Sequence, residues 1–123
     1  MKTLHLPLKK EWYEMIESGV KTEEYREIKT YWEKRLLEYD KMIDFIKKNM
    51  NEIIVRRVLN YPLFDFAKVF SKGYKYVRFS YGYTKRTMTL EIESITIGKG
   101  KPEWGAPIDK DVFIIKLGKR INN

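Results

Sequence analysis

The chain has 123 residues, the length of one domain, and its composition excludes several kinds of site. It contains no cysteine, which excludes disulfides, thiolate metal sites and thiol chemistry in these residues and agrees with a reducing cytosol. Because His5 is the one histidine, neither a histidine-based metal centre nor a Ser-His-Asp triad is expected. The formal net charge of +8 lies mostly after residue 60 and favours polyanionic partners.

The hydrophobic pattern predicts a soluble, cytoplasmic protein with no membrane association. No apolar run approaches the roughly 20 residues that cross a bilayer, and the amino-terminal residues lack the apolar core of a signal peptide. No repeat or linker interrupts the chain, so we expect residues 1–123 to form a single domain. We favour a monomer and expect no cofactor and no bound metal.

The first three predicted elements are a strand, a helix and a polar strand. Apolar residues alternate over 4–8, and Pro7 cannot donate a ladder hydrogen bond, so this strand is expected to end there or to lie at a sheet edge. A helix is predicted over 9–18, ending at Gly19 with positive φ. A polar strand is predicted over 20–28. The apolar face of the helix comprises Trp12, Met15 and Ile16.

A second helical region follows the polar strand. Thr30 and Glu33 match a capping box, which predicts a helix over about 31–47 that can break near Asp40. The segment 41–71 matches no pattern of the surrounding domain and is interpreted as an insertion. Within it, the apolar residues after position 52 fit either a strand or a helix. Asn60, Tyr61 and Pro62 indicate a turn.

The second half of the chain predicts strands over 74–83, 87–97 and 111–118. In the middle strand the apolar alternation slips by one residue, which indicates a β-bulge near 93–94. A turn rich in Gly and Pro surrounds Trp104. Together these elements predict an α+β fold, a small mixed β-barrel of about five to six strands with two or more helices inserted.

The densest polar cluster lies just after the first helix. Gly19, Lys21, Glu24 and Arg26 form the pattern Gly-x-Lys-x-x-Glu-x-Arg, preceded by a strand and a helix. This arrangement resembles the signature of ASCH domains, which are similar to the RNA-binding PUA domains. The resemblance implies a PUA-like barrel that binds RNA, single-stranded nucleic acid or a modified nucleotide in a cleft beside the motif. Gly19, Lys21, Thr22, Glu24 and Arg26 are the predicted ligand-binding residues of this cleft.

The resemblance also leaves an enzymatic alternative open. Some ASCH-like proteins are small metal-free hydrolases, either nucleoside amidohydrolases or ribonucleases. In the amidohydrolase type a threonine stands three residues after the lysine, where this chain has Glu24. If the protein is an enzyme, Lys21 and Glu24 are the predicted catalytic residues, with Lys21 as the base and either Glu24 or Thr22 assisting it. A purely structural salt-bridge network is the third interpretation of the cluster.

A second stretch, 72–86, interleaves tyrosines with basic residues. Tyr74, Tyr76 and Arg78 share the predicted outward face of their strand, where rings can stack on bases and cations can hold phosphates. They are included among the ligand-binding residues, although tyrosine also suits strands for packing reasons alone. Trp12 and Trp32 are interpreted as core residues, whereas Trp104 is interpreted as a loop anchor with a lesser expectation of a stacking role.

Overall fold

The structure, a computed structural model, describes residues 2–58 and 65–122 of the chain. Within these residues, five strands form one sheet: β1 (Thr3–Leu8), β2 (Glu23–Glu27), β3 (Tyr76–Tyr81), β4 (Thr87–Lys99) and β5 (Asp111–Asn122). Five helices accompany it there: α1 (Lys10–Glu17), α2 (Thr30–Leu36), α3 (Tyr39–Lys48), α4 (Met50–Val58) and α5 (Phe66–Phe70). The predicted α+β class is therefore confirmed. None of these helices combines the length and apolar character that a bilayer span requires.

The sheet is curled into a half-barrel with its two edge strands facing each other. The strand order is β1-β3-β4-β5-β2, with β1 parallel to β3 and every other pair antiparallel. No ladder joins β1 to β2 in the described part of the chain. The edges nevertheless approach, since Arg26 Nη2 on β2 lies 3.5 Å from the carbonyl oxygen of Pro7 on β1. Pro7 lies on an edge strand, as its missing donor predicts.

Strand β4 supplies the bend that curls the sheet. Its pairing with β5 shifts register between Thr89 and Ser94, which confirms the predicted bulge. Beyond the bulge, Ile95 is buried, so the core-facing side of the strand has changed by one residue. The central position of β5, between β4 and β2, explains why it is apolar on both faces.

Helix α1 packs against the sheet through a face one residue away from the predicted one. Tyr13 and Ile16 are buried, whereas Trp12 and Met15 are only half-buried. The helix ends as expected, because Gly19 has φ 86° and leaves the helical path. The main core is formed by apolar residues of α1, α2, α3, α5 and the sheet: Leu4, Leu6, Leu8, Tyr13, Ile16, Leu36, Leu37, Met42, Ala67, Val77, Phe79, Met88, Leu90, Ile95, Phe113, Ile115 and Leu117.

The predicted helix over 31–47 is two helices, α2 and α3, broken at residues 37–38, close to the expected point. The predicted capping box is wrong: Thr30 is already helical, and Lys29 occupies the N-cap without a side-chain hydrogen bond. Because the helix begins one residue early, the Thr30 hydroxyl does not lie at the capping position.

The predicted insertion leaves and rejoins the domain at neighbouring points. Leu37 forms a β-bridge with Ser71, and the Glu38 amide donates to the carbonyl of Phe70 at 2.6 Å. A segment whose two ends meet in this way can be accommodated without disturbing the rest of the sheet. Helix α4 shows that its apolar residues up to Val58 are helical. The predicted turn at 60–62 lies outside the described residues.

Candidate functional site

Lys21, Glu24 and Arg26 converge at the gap between the two edge strands. Lys21 Nζ lies 2.9 Å from Glu24 Oε1, and Arg26 Nη1 donates to the other carboxylate oxygen of Glu24. Lys21 Nζ also donates to the carbonyl of Trp104 at 2.6 Å, and Arg26 Nη1 to the carbonyl of Tyr25 at 2.9 Å. The three charged groups therefore form one connected network.

This network is deeply buried and carries an excess of positive charge. Lys21 is 2% exposed and Glu24 3% exposed, and the Arg26 side chain is 17% exposed. Burying charges is unfavourable unless each is paired and hydrogen-bonded. Here two cations share one carboxylate. Such a network contributes little net stability to the fold. It does, however, present a fixed positive potential to a ligand that enters the gap between the edge strands.

The turn after α1 explains how residues three apart in sequence meet. On a regular strand, Lys21 and Glu24 would point to opposite faces, as the strand predicted over 20–28 implied. Strand β2 instead starts at Glu23, and Lys21 lies in the connection between α1 and β2, where its amide donates to the carbonyl of Met15 at 3.0 Å. The lysine side chain can then turn back toward Glu24. The predicted start of this strand at residue 20 is therefore wrong, whereas the predicted meeting of Lys21 with Glu24 is confirmed.

A cleft of about 340 Å³ opens above the network, between β1, α1, β2 and the loop that precedes β5. All three tryptophans of the chain, Trp12, Trp32 and Trp104, line it. Lys21 Nζ lies 4.6 Å from the Trp12 ring centre, and the Arg26 guanidinium carbon lies 5.1 Å from that of Trp32. The interpretation of Trp12 as core is wrong. Trp32 does pack partly on the main core, but it also faces the cleft.

The loop before β5 forms one wall of the cleft and is fixed by Tyr25. Its short 3-10 helix, Pro102–Trp104, ends at Gly105, which has φ 102°. The Tyr25 hydroxyl accepts a hydrogen bond from the Lys101 amide at 3.0 Å and donates one to Glu23 at 2.7 Å. These contacts confirm Trp104 as part of an anchored loop and position its carbonyl for Lys21.

Gly100, at the start of this loop, touches Tyr25. A Cβ at Gly100 would lie 2.6 Å from the Tyr25 ring and 2.7 Å from the Ala106 methyl group. We expect Gly100→Ala to lower the free energy of unfolding by about 1–3 kcal/mol through overpacking. Gly98→Ala is the matched control, because its Cβ would meet Ile114 at 3.4 Å, an ordinary contact. Urea unfolding of both variants checks this, and equal stability of the two would contradict the close packing described.

The buried Tyr25 predicts a loss of stability in alkaline solution. Burial raises the pKa of Tyr25 above its usual value of about 10, and the Glu23 carboxylate adds to this effect. The unfolded chain therefore releases this proton at lower pH than the folded chain does, so the free energy of unfolding falls as pH rises above about 10. Tyr25→Phe is expected to make that fall shallower. Urea unfolding between about pH 8 and about pH 11 measures both slopes.

Other predicted ligand-binding residues lie outside the cleft. Thr22 and Gly19 are exposed and do not line it. On and near β3, the Tyr74 hydroxyl donates to the carbonyl of Arg35 at 3.1 Å, and Arg78 Nε donates to the Thr89 hydroxyl at 3.3 Å. The structure therefore does not bring Tyr74, Tyr76 and Arg78 together with Lys21, Glu24 and Arg26.

Several cleft residues were not singled out from the sequence. Tyr25 lies inside the polar motif but matches no fixed position of the pattern, so the motif does not predict it. Lys9 and Pro7 line the opposite side of the cleft, from the end of β1 and the residue before α1.

Comparisons with known proteins give no match. No protein-family model, no curated protein and no solved structure matches the chain. The likeness to the ASCH pattern therefore rests on the motif residues alone.

Proposed function

We propose that this protein is an ASCH-type, PUA-like domain that binds a nucleobase-containing ligand, single-stranded RNA or a nucleotide, in the cleft above Lys21, Glu24 and Arg26. The observation that carries the proposal is the meeting of three tryptophans with a buried, net positive network in one cleft. Aromatic rings suit the flat faces of bases, and fixed cations suit phosphate.

The size of the cleft supports a single base with its sugar as the bound unit. Ligand pockets usually enclose about 300–1,000 Å³, and this one encloses about 340 Å³. A double helix does not fit such a space, whereas an unstacked base of a single strand or a free nucleotide does. Lys9, exposed at the rim, supplies a further positive charge for a phosphate outside the cleft.

An anionic ligand is favoured over a cationic one. Aromatic clusters also bind quaternary ammonium groups, but here Lys21 and Arg26 already lie over the rings of Trp12 and Trp32. A third cation would be repelled by both. The role of Glu24 is to hold the two cations in place, because each of its carboxylate oxygens accepts from one of them.

The hydrolase alternative would use the same cleft. It needs a nucleophile or a base with a free acceptor near the ligand. Thr22 is exposed and outside the cleft, and both Glu24 oxygens are engaged by cations. Lys21 is the remaining candidate for the base, but its ammonium group already contacts the Glu24 carboxylate and donates to the Trp104 carbonyl. These contacts favour binding over catalysis.

Tryptophan fluorescence tests the proposal, because every tryptophan of the chain lines the cleft. We expect short single-stranded RNA, or a ribonucleoside monophosphate, to change the emission in a saturable way. The affinity should fall as salt rises, since phosphate contacts release counterions. Absence of any change at low salt with RNA, single-stranded DNA and all four nucleotides would contradict the proposal. Recovery of cleaved ligand after the titration would instead support the hydrolase.

A further inference from the structure

Helix α1 also borders a second cavity, of about 370 Å³, that shares no lining residue with the cleft. Its walls come from α1, from the turn between β3 and β4, and from the end of β5. The lining residues are Tyr13, Glu17, Lys85, Arg86, Thr87 and Arg120. Three of these six side chains are cationic: Lys85, Arg86 and Arg120. Lys85 and Arg86 end the basic, tyrosine-rich stretch 72–86, which does not line the cleft.

Among the described residues that line this cavity, Glu17 is the one carboxylate. Glu17 Oε1 lies 2.8 Å from Arg86 Nη2, and Glu17 Oε2 lies 4.0 Å from Arg120 Nη1. Both arginine side chains remain substantially open to solvent. The carboxylate thus occupies the position between two guanidinium groups that an anion from solution would take.

The inner wall contains a buried hydrogen-bond donor with no partner. Tyr13 is 0% exposed, and its hydroxyl makes no hydrogen bond within the described part of the chain. The Arg86 guanidinium lies over its ring, with the carbon 5.2 Å from the ring centre; it can donate to the hydroxyl oxygen but cannot accept the hydroxyl proton. Burial, reinforced by the charge of Glu17, raises the pKa of Tyr13, so the hydroxyl stays protonated near neutral pH and can donate.

Buried polar groups are nearly always hydrogen-bonded in native proteins, so an unpartnered donor beside two arginines needs an explanation. We propose that this cavity binds a phosphate group, with Arg86 and Arg120 as its charge partners, the Tyr13 hydroxyl as a buried donor, and Glu17 as an internal competitor that the phosphate displaces. The phosphate comes from the backbone of a single-stranded nucleic acid or from free inorganic phosphate; the chemistry of recognition is the same.

Titration of the whole protein with inorganic phosphate at low salt, followed by amide NMR, tests the site. We expect the largest shifts at residues 13–17, 85–87 and 120. Glu17→Gln should tighten phosphate binding about fivefold, the effect of one screened charge at close range. Glu11→Gln removes the same charge from the exposed first turn of α1 and is the matched control, with little expected effect.

Tyr13→Phe separates binding from folding. Because the hydroxyl proton has no acceptor among the described residues, its removal should leave the thermal unfolding midpoint unchanged or raise it. The same variant should weaken phosphate binding about threefold to tenfold, through the loss of one hydrogen bond to an anion. Unchanged phosphate affinity in Tyr13→Phe, or equal effects of Glu17→Gln and Glu11→Gln, would overturn the proposal.

The source of the phosphate is decided with Arg86→Gln and a single-stranded oligonucleotide. If the strand supplies it, this variant should lower the slope of log affinity against log salt by about one. If the slope is unchanged while inorganic phosphate no longer binds, free phosphate is the ligand. This cavity contains no tryptophan, so the phosphate titration and the fluorescence titration of the cleft succeed or fail separately.

Discussion

Replacing Glu24 with alanine is expected to lower the free energy of unfolding by about 3–5 kcal/mol, the usual result of removing one partner from a buried ionic network. Glu24 is the one carboxylate that both Lys21 and Arg26 contact in the described structure. Without it, Lys21 stays almost completely buried with the Trp104 carbonyl as its remaining hydrogen-bond partner. Thermal and urea unfolding of the variant measure the loss.

Glu27→Ala is the matched control for Glu24→Ala. Glu27 lies on the same strand, and its ion pair with Lys29, at 3.4 Å, is about half exposed on both sides. Exposed pairs contribute about 0–1 kcal/mol, so this variant should be close to wild type. A Glu24→Ala protein as stable as Glu27→Ala would mean that the buried network does not exist in solution.

The triple change Lys21→Met, Glu24→Leu and Arg26→Met separates a structural network from a binding site. Apolar side chains of similar volume often replace a buried ionic network with no loss of stability. We therefore expect the triple variant to be more stable than Glu24→Ala alone and to bind no nucleotide. If apolar residues at these three positions fold equally well, stability does not require the charges. The location of the charges at the cleft then supports the proposal that they serve a ligand.

The outcome for individual elements shows which parts of this fold local sequence patterns determine. The alternation in β1 and the slip in β4 follow from the period of two, which depends on each strand alone. The break between α2 and α3 and the positive φ of Gly19 are also local features. These were predictable because neighbouring residues decide them.

The geometry of the cleft could not be predicted from local sequence patterns, because it is formed by contacts between residues far apart in the chain. Trp12 has the spacing of a core residue, but the loop around Gly105 lies across α1, so a Cβ at Gly105 would be 3.2 Å from the Trp12 ring. Lys21 meets Glu24 because β2 starts late, and its second acceptor comes from Trp104, 83 residues further along the chain. Both facts follow from the strand order of the sheet and from the path of this loop.

Trp12→Ala is expected to cause the largest loss of ligand affinity at small cost in stability. A stacked base contributes about 1–3 kcal/mol, so affinity should fall about 5-fold to 150-fold. Trp12 belongs to neither core cluster of the described residues, and alanine favours the helix in which it lies. The loss of the cation–π contact with Lys21, at 4.6 Å, should lower the free energy of unfolding by about 1 kcal/mol.

Fluorescence anisotropy of a labelled single strand measures this affinity, with two variants as controls for Trp12→Ala. Trp12→Phe keeps an aromatic face in the cleft and should retain most of the affinity. Tyr76→Ala removes an aromatic ring from β3, outside the cleft, and should change the affinity by less than about twofold, since no stacked base is lost. If Tyr76→Ala weakens binding strongly while Trp12→Ala leaves it unchanged, the basic tyrosine face of β3 holds the ligand. The cleft would then be a structural feature, because truncation of a ring that touches no ligand leaves affinity unchanged.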